Sequence, residues 1–222
     1  QYRQRFVNGV LDIESSLTNA DRRTRVSTYS NKTRGHLFIN GKFDHNDFWR
    51  YGFNVKRATD DTYLSRYMFP GATDRLHSDF FIEGFDNRNY FYATGIATQV
   101  QSSTYQSNKT PLILPSINYN YQSEKTKIGF VDINTNFVSL TRREGADSRK
   151  ISIKPVVTYP YNDNFGNRFT LQAKTTFSAY MLSHVERTNK ADYKGYKARV
   201  HPEIMLGWDL PLHKKQNNST FF

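Results

Sequence analysis

Hydrophobic and polar positions alternate with period two along most of the chain. From Trp49 to Lys56 the set Trp49, Tyr51, Phe53 and Val55 is interleaved with Arg50, Gly52, Asn54 and Lys56. Successive residues of a strand point to opposite sides of its sheet, so one side here is apolar and the other wet. The same grammar returns in "HLFINGKF", "RLHSDFFIEG", "YFYATGIATQV", "SINYNYQ", "KISIKPVVTY", "RFTLQAKTTFSAYM" and "YKARVHPEIMLGWDL". Each run predicts a strand of about eight to sixteen residues, long by soluble standards and fitted to a tilted membrane crossing. The first spans about Arg5 to Thr18, and about ten follow one another with no strong helical period between them.

The connections between these runs alternate in length. Long ones are expected at Asn19 to Lys32, Thr59 to Arg75, about Ser102 to Pro111 and His184 to Lys194. Short ones fall around His45-Asn46, Asp86 to Asn89, Ser123 to Thr126 and in "NDNFGN", with an intermediate charged loop from Arg142 to Ser148. An up-and-down barrel produces this alternation, with tight turns on one side of the membrane and extended loops on the other. A soluble Greek-key sandwich has no reason to keep such a count. The predicted fold is therefore all-β: an antiparallel up-and-down transmembrane β-barrel, partial, about ten strands of a larger barrel, with residues 1–222 as one barrel segment and no second domain. Pro155 and Pro202 fall inside strand patterns and predict bulges or locally unzipped positions, because proline removes a ladder donor.

Alternation alone also fits a sandwich whose core is the apolar side, and composition shifts the balance. The 222 residues carry a net charge of +11 and no cysteine, with a mean hydropathy of −0.74 and 15% aromatic residues. A barrel wall is polar on average yet rich in aromatics, because tyrosine and phenylalanine crowd the lipid face while the lumen stays hydrophilic. No stretch approaches the roughly 20 apolar residues of a spanning helix. The basic residues are spread along the chain without a nucleic-acid-binding motif, so no nucleic-acid partner is expected. The chain opens at Gln1 with no methionine or signal segment, and is expected to be a piece of something longer.

Candidate chemistry is sparse. Asp60 and Asp61 are adjacent, and neighbours on a strand point apart. They are expected to start an outer loop that folds back on the barrel, with Arg57, Arg66 or Arg75 as charge partners. His77, Asp79 and Glu83 share one face, but a single strand rarely closes a metal site. No nucleophile elbow, zincin motif or phosphate-cradling glycine loop occurs, so neither an enzyme, a cofactor nor a metal is expected. Alternation instead assigns Trp49, Tyr51, Phe53, Val55, Ile117, Tyr119, Tyr121, Ile151, Ile153, Phe169, Leu171 and Trp208 to the outside. Arg50, Lys56, Lys150, Lys154, Arg168, Lys174, Lys197 and Arg199 take the lumen, with Asp79, Glu83, Asp132 and Glu203 among them.

The stretches "RFVNGVLDIESSLT", "RGHLFINGKFDHNDFWRYGFNVKRATDDTYLSRY", "EGFDNRNYFYATG", "TPLILPSINYNYQS" and "LTRREGADSRKISI" together resemble the LptD family of lipopolysaccharide-assembly proteins. The match extends from about Tyr2 to about Pro160 and fades toward the C-terminus. The resemblance implies a middle segment of a very large outer-membrane barrel that inserts lipopolysaccharide into the outer leaflet. It also implies an upstream periplasmic domain that receives cargo from a protein bridge, an LptE-like plug lipoprotein in the lumen, and a lateral gate outside this segment. The lumen cations would then meet either the phosphates and acidic sugars of lipopolysaccharide or the plug. A generic porin in contact with outer-membrane lipid is the competing expectation.

Overall fold

The computed structural model describes residues 1–23, 28–69, 72–101, 107–187, 190–212, 214–216 and 219–221. Eleven strands form one antiparallel sheet: β1 (Tyr2–Phe6), β2 (Gly9–Arg23), β3 (Thr28–Asp44), β4 (Trp49–Ala58), β5 (Arg75–Asp86), β6 (Asn89–Val100), β7 (Leu112–Gln122), β8 (Phe130–Thr141), β9 (Asp147–Asn162), β10 (Arg168–Arg187) and β11 (Lys190–Asp209). Their spatial order is their sequence order. Every pairing joins consecutive strands, the up-and-down topology the alternation predicts. A short helix α1 (Tyr63–Arg66) and a 3₁₀ turn (Ser107–Lys109) interrupt the connections, and a small hairpin, β12 (Lys214–Gln216) with β13 (Ser219–Phe221), follows the sheet.

Directly paired residues of neighbouring strands share a face, so the register sorts side chains across the whole sheet. Trp49 pairs with Gly84, Gly84 with Phe91, Phe91 with Tyr119, Tyr119 with Thr135, Thr135 with Ile153 and Phe177 with Ile153. Followed strand by strand, all twelve residues assigned to the outside fall on this one face. All eight assigned cations and the four acids fall on the other. The apolar face is bare: Leu206 is 72% and Trp208 65% exposed, and Phe80, Ile151, Ile153 and Leu171 are exposed as well. In β9 the apolar-side residues Ile151 and Ile153 are more exposed than Lys150, Ser152 and Lys154 beside them. This is the reverse of a soluble sandwich. It fits a curved wall whose convex side is apolar and whose concave side is polar.

Aromatic residues gather where the short turns lie. Phe6 packs on Phe43, Phe43 on Tyr51, Trp49 on Phe91 and Tyr161 on Phe169. The Trp208 indole donates to Asn167 in the turn between β9 and β10. These rings form a girdle of the kind that sits at a membrane interface. Gly84 is required beneath it, since a Cβ there would lie 2.7 Å from the Trp49 ring.

Several details differ from the sequence-based expectation. The first strand is two: Val7 and Asn8 separate β1 from β2, which makes eleven strands where about ten were expected. Two connections expected to be long are largely strand. β2 and β3 pair as far as Arg23 with Thr28, and β10 and β11 as far as Arg187 with Lys190. Outside a bilayer a hairpin needs no apolar side, so polarity there does not distinguish loop from ladder. Pro155 and Pro202 cause no register shift. Pro202 stays opposite Thr175, whereas β9 and β10 form no pair between Lys174 with Val156 and Phe177 with Ile153, the point that faces Pro155. The missing proline N–H accounts for that unzipped step. The expected long connection near Ser102 lies partly outside the described residues.

Candidate functional site

The polar face brings the expected cations together in two groups. Arg50 on β4 lies 3.5 Å from both Asp44 and Glu83 and over the Phe85 ring, and Lys56 sits over Phe38. The second group spans β9 to β11. Lys150 and Arg199 approach the two sides of Tyr180, with ring-centroid distances of 5.6 and 5.9 Å, and Lys197 pairs with Tyr180 in register. Lys174 binds Glu203, Lys154 stands opposite Asn134, and Arg168 closes the turn end of the sheet opposite Asn162 and Asp209. Lys197, Arg199 and Arg168 are exposed; Lys150, Lys154 and Lys174 are half-buried. β6, β7 and β8 separate the groups and carry two tyrosines and four asparagines among uncharged neighbours on this face, with Asp132 the only one of the assigned charges on them. The wall is therefore not uniformly cationic.

A second constellation was not legible as a site. The connection from Thr59 to Phe69 folds back onto the polar face, as expected for the loop that Asp60 opens, but the partner of Asp60 is Arg34 on β3. Arg34 Nε and Nη2 each donate to the carboxylate at 2.9 Å, with side chains only 1% and 3% exposed. Arg57, Arg66 and Arg75 were expected in this role. They lie on β4, on α1 and at the start of β5, whereas β3 runs directly beneath the loop. Thr59 N–H donates to Gly35 O, and Gly35 N–H donates to Thr59 Oγ1, which stitches the loop's first residue to β3. Asp60 also accepts from the Thr62 N–H and hydroxyl, which turns the chain into α1. Burial would raise the Asp60 pKa, but Arg34 and Thr62 outweigh it and hold it at about 2.

Behind this pair Tyr63 and Leu64 are buried against Ala58 and Leu76, with Phe38 and Phe69 around them. The Tyr63 hydroxyl is 2.7 Å from Ser16 Oγ, which is 2.8 Å from His36 Nδ1, while His36 Nε2 lies 3.4 Å from Glu14. The His36 side chain is fully covered and packed against Phe69, so this polar line ties β2, β3 and the loop together. The signal available in the sequence was the position of Arg34, Ser16 and His36 on the polar face, two or three strands from Asp60 and invisible to local spacing. His77, Asp79 and Glu83 do share a face, but their contacts go elsewhere: His77 to Thr98, Asp79 to Asn54, Glu83 to Arg50 and Tyr90. No group of three or more potential metal ligands occurs among the described residues.

A single up-and-down sheet with a bare aromatic-girdled apolar face and a sheltered polar one defines a segment of an outer-membrane-type β-barrel wall. Residues 32–221 match the model of LptD, LPS transport system D, and the chain belongs to that family. Membership gives lipopolysaccharide transport as the role and lipopolysaccharide as the transported substrate. The match takes in β10 and β11, where the motif resemblance fades, and begins after residue 31. A search of curated proteins returns no match.

Proposed function

We propose that this segment is part of the barrel through which lipopolysaccharide is inserted into the outer leaflet of the outer membrane. Its polar face lines the lumen, and its apolar face contacts outer-membrane lipid. The observation that carries this is the complete separation of the two residue sets by the register. A wall that is apolar outside and cationic inside gives phosphates and acidic sugars a hydrated surface while acyl chains leave sideways through a gate beyond these strands. Contacts in a wet lumen are screened and individually weak, which suits a cargo that must pass on. The role is transport without a catalytic step. An upstream periplasmic domain would receive cargo from a protein bridge.

Photo-crosslinkers at Lys150, Lys154 and Lys174 test the route. Capture of lipopolysaccharide from these positions is the expected result. Capture only from outward-facing neighbours such as Ile151 and Ile153 removes the lumenal route. Capture of a plug lipoprotein in place of glycolipid assigns the charge to docking, a reading favoured by the way Lys150 and Arg199 flank Tyr180 as a preformed surface patch.

A further inference from the structure

The polar face carries a feature that positive charge does not explain. Between the two cationic groups two adjacent rows cross the sheet in register: in the first, Tyr92 pairs with Asn118, Asn118 with Asn136 and Asn136 with Ser152. One step along, Tyr90 pairs with Asn120, Asn120 with Asn134 and Asn134 with Lys154. Asn136 Nδ2 donates to Asn118 Oδ1 at 2.7 Å, and Asn120 Nδ2 donates to Asn134 Oδ1 at 2.6 Å. Each amide carries two N–H donors and a carbonyl with two lone pairs. The N–H groups of Asn118 and Asn134, and the carbonyls of Asn136 and Asn120, therefore meet no other side chain among the described residues. A depression of about 370 Å³ lies over these amides, between Tyr90 and Lys154. Tyr90 lines its β6 side and lies nearly parallel, at 13°, to Tyr92 beside it.

We propose that these amide rows, edged by Tyr90 and Tyr92, are a contact track for neutral sugar units of the transported glycolipid; this rests on the reading that cargo passes along the polar face. A sugar hydroxyl is both donor and acceptor, and vicinal pairs match the coplanar donor and acceptor of an amide. The apolar face of a pyranose ring covers an aromatic ring. A phosphate needs a cation, which β9 to β11 supply, and gains little from neutral amides. The wall is thus divided: uncharged sugars over β6 to β8, anionic groups over β9 to β11. Because the amides are already paired across β7 and β8, they are held in place before cargo arrives and lose little freedom on contact.

The test compares delivery of two probes by the full-length protein in its native complex. One is lipopolysaccharide with a complete core oligosaccharide; the other is a truncated form that ends at the inner acidic sugars. Asn118→Ala, Asn120→Ala, Asn134→Ala and Asn136→Ala together should slow the complete form about three- to ten-fold relative to the truncated one. The milder Asn120→Ala/Asn134→Ala pair, which keeps the other cross-strand bond, should shift the ratio in the same direction if the fourfold variant fails to assemble. Equal slowing of both probes assigns the amides to tying β7 to β8, and an unchanged ratio at normal assembly removes the sugar contact; either overturns the proposal. A crosslinker at Lys154 separates this from the parent reading. Capture of glycolipid with an unchanged ratio defeats the sugar track alone, whereas no capture of either probe defeats the lumenal route and the track with it.

Discussion

The polar face holds two cationic regions that behave in opposite ways. Under the β4–β5 loop, Arg34 is sealed against Asp60 with both charges out of water. Along β9 to β11, Lys150, Lys174, Lys197 and Arg199 stand in or near solvent, and their partners are a tyrosine ring and one carboxylate. The same charge does different work in the two places. A buried pair whose carboxylate accepts five hydrogen bonds from Arg34, Thr59 and Thr62 fixes a loop, because breaking it strands a charge in a dry site. A screened, exposed cation contributes little to folding and remains available to a passing anion.

The sharpest way to break this contrast is Arg34→Met. It leaves the Asp60 carboxylate buried without its guanidinium and should cost about 3–5 kcal/mol of loop docking. Protease cleavage within the Thr59–Asp74 connection and the level of assembled protein in the outer membrane read the effect. Normal protection would mean that Tyr63 and Leu64 alone hold the loop. A second break compares the two faces within one strand. Ile153→Arg places a charge on the apolar side near the middle of β9 and should cost about 2–4 kcal/mol, with loss of assembled barrel. Ser152→Arg, one residue away on the polar side, should assemble normally. If the two variants behave alike, the sidedness derived from the register is wrong.

A smaller effect comes from acid. The Asp60 pKa is lowered from an ordinary 3.8 to about 2, so its contribution is complete above the ordinary value and disappears as pH falls through the folded one. Between pH 4 and 2 the loop should therefore lose about 2 kcal/mol of docking stability. Hydrogen exchange at Tyr63 and Leu64, followed across that window, would show it. Asp60→Asn should exchange faster at neutral pH and lack the transition. A wild-type profile that is flat from pH 4 to 2 would remove Asp60 from the lock.

The contrast also marks what a sequence discloses. Trp49 to Lys56 and Lys150 to Tyr159 announce both strand and sidedness, because a bilayer enforces alternation residue by residue; their register follows from that constraint. Topology was legible from the rhythm of connections, and so was the return of the Asp60 loop onto the barrel. Outside the membrane the constraint lapses. The polar ends of β2, β3, β10 and β11 look like loop while remaining paired, and the Val7-Asn8 turn hides inside one apparent strand. The Arg34–Asp60 lock was illegible for a different reason. Its members are 26 residues apart, and four other arginines, Arg50, Arg57, Arg66 and Arg75, lie closer in sequence; only the placement of β3 beneath the loop decides among them. The division of the wall into amide and cationic sectors likewise exists only across strands, since no single strand contains it.

The smallest expected effect is the most specific to the open wall. Lys150→Gln, Lys174→Gln and Arg199→Gln, made singly, should each change stability by less than about 1 kcal/mol and leave delivery of lipopolysaccharide close to normal, because each contact is screened and replaceable. Lys174 provides the strictest case, since its loss leaves Glu203 with only His201, 3.9 Å away, on a partly exposed surface where water takes over. Reversing Lys150, Lys154 and Lys174 together to Glu changes the local field by six charges without touching the buried loop lock. Delivery should then slow while protease protection of the Thr59–Asp74 connection stays at the wild-type level. A marked defect from one of the single changes would indicate a tight site in place of a passing surface. A silent triple reversal would mean that the cations of β9 to β11 do not meet the cargo at all, and the two regions of the polar face would then differ in burial alone.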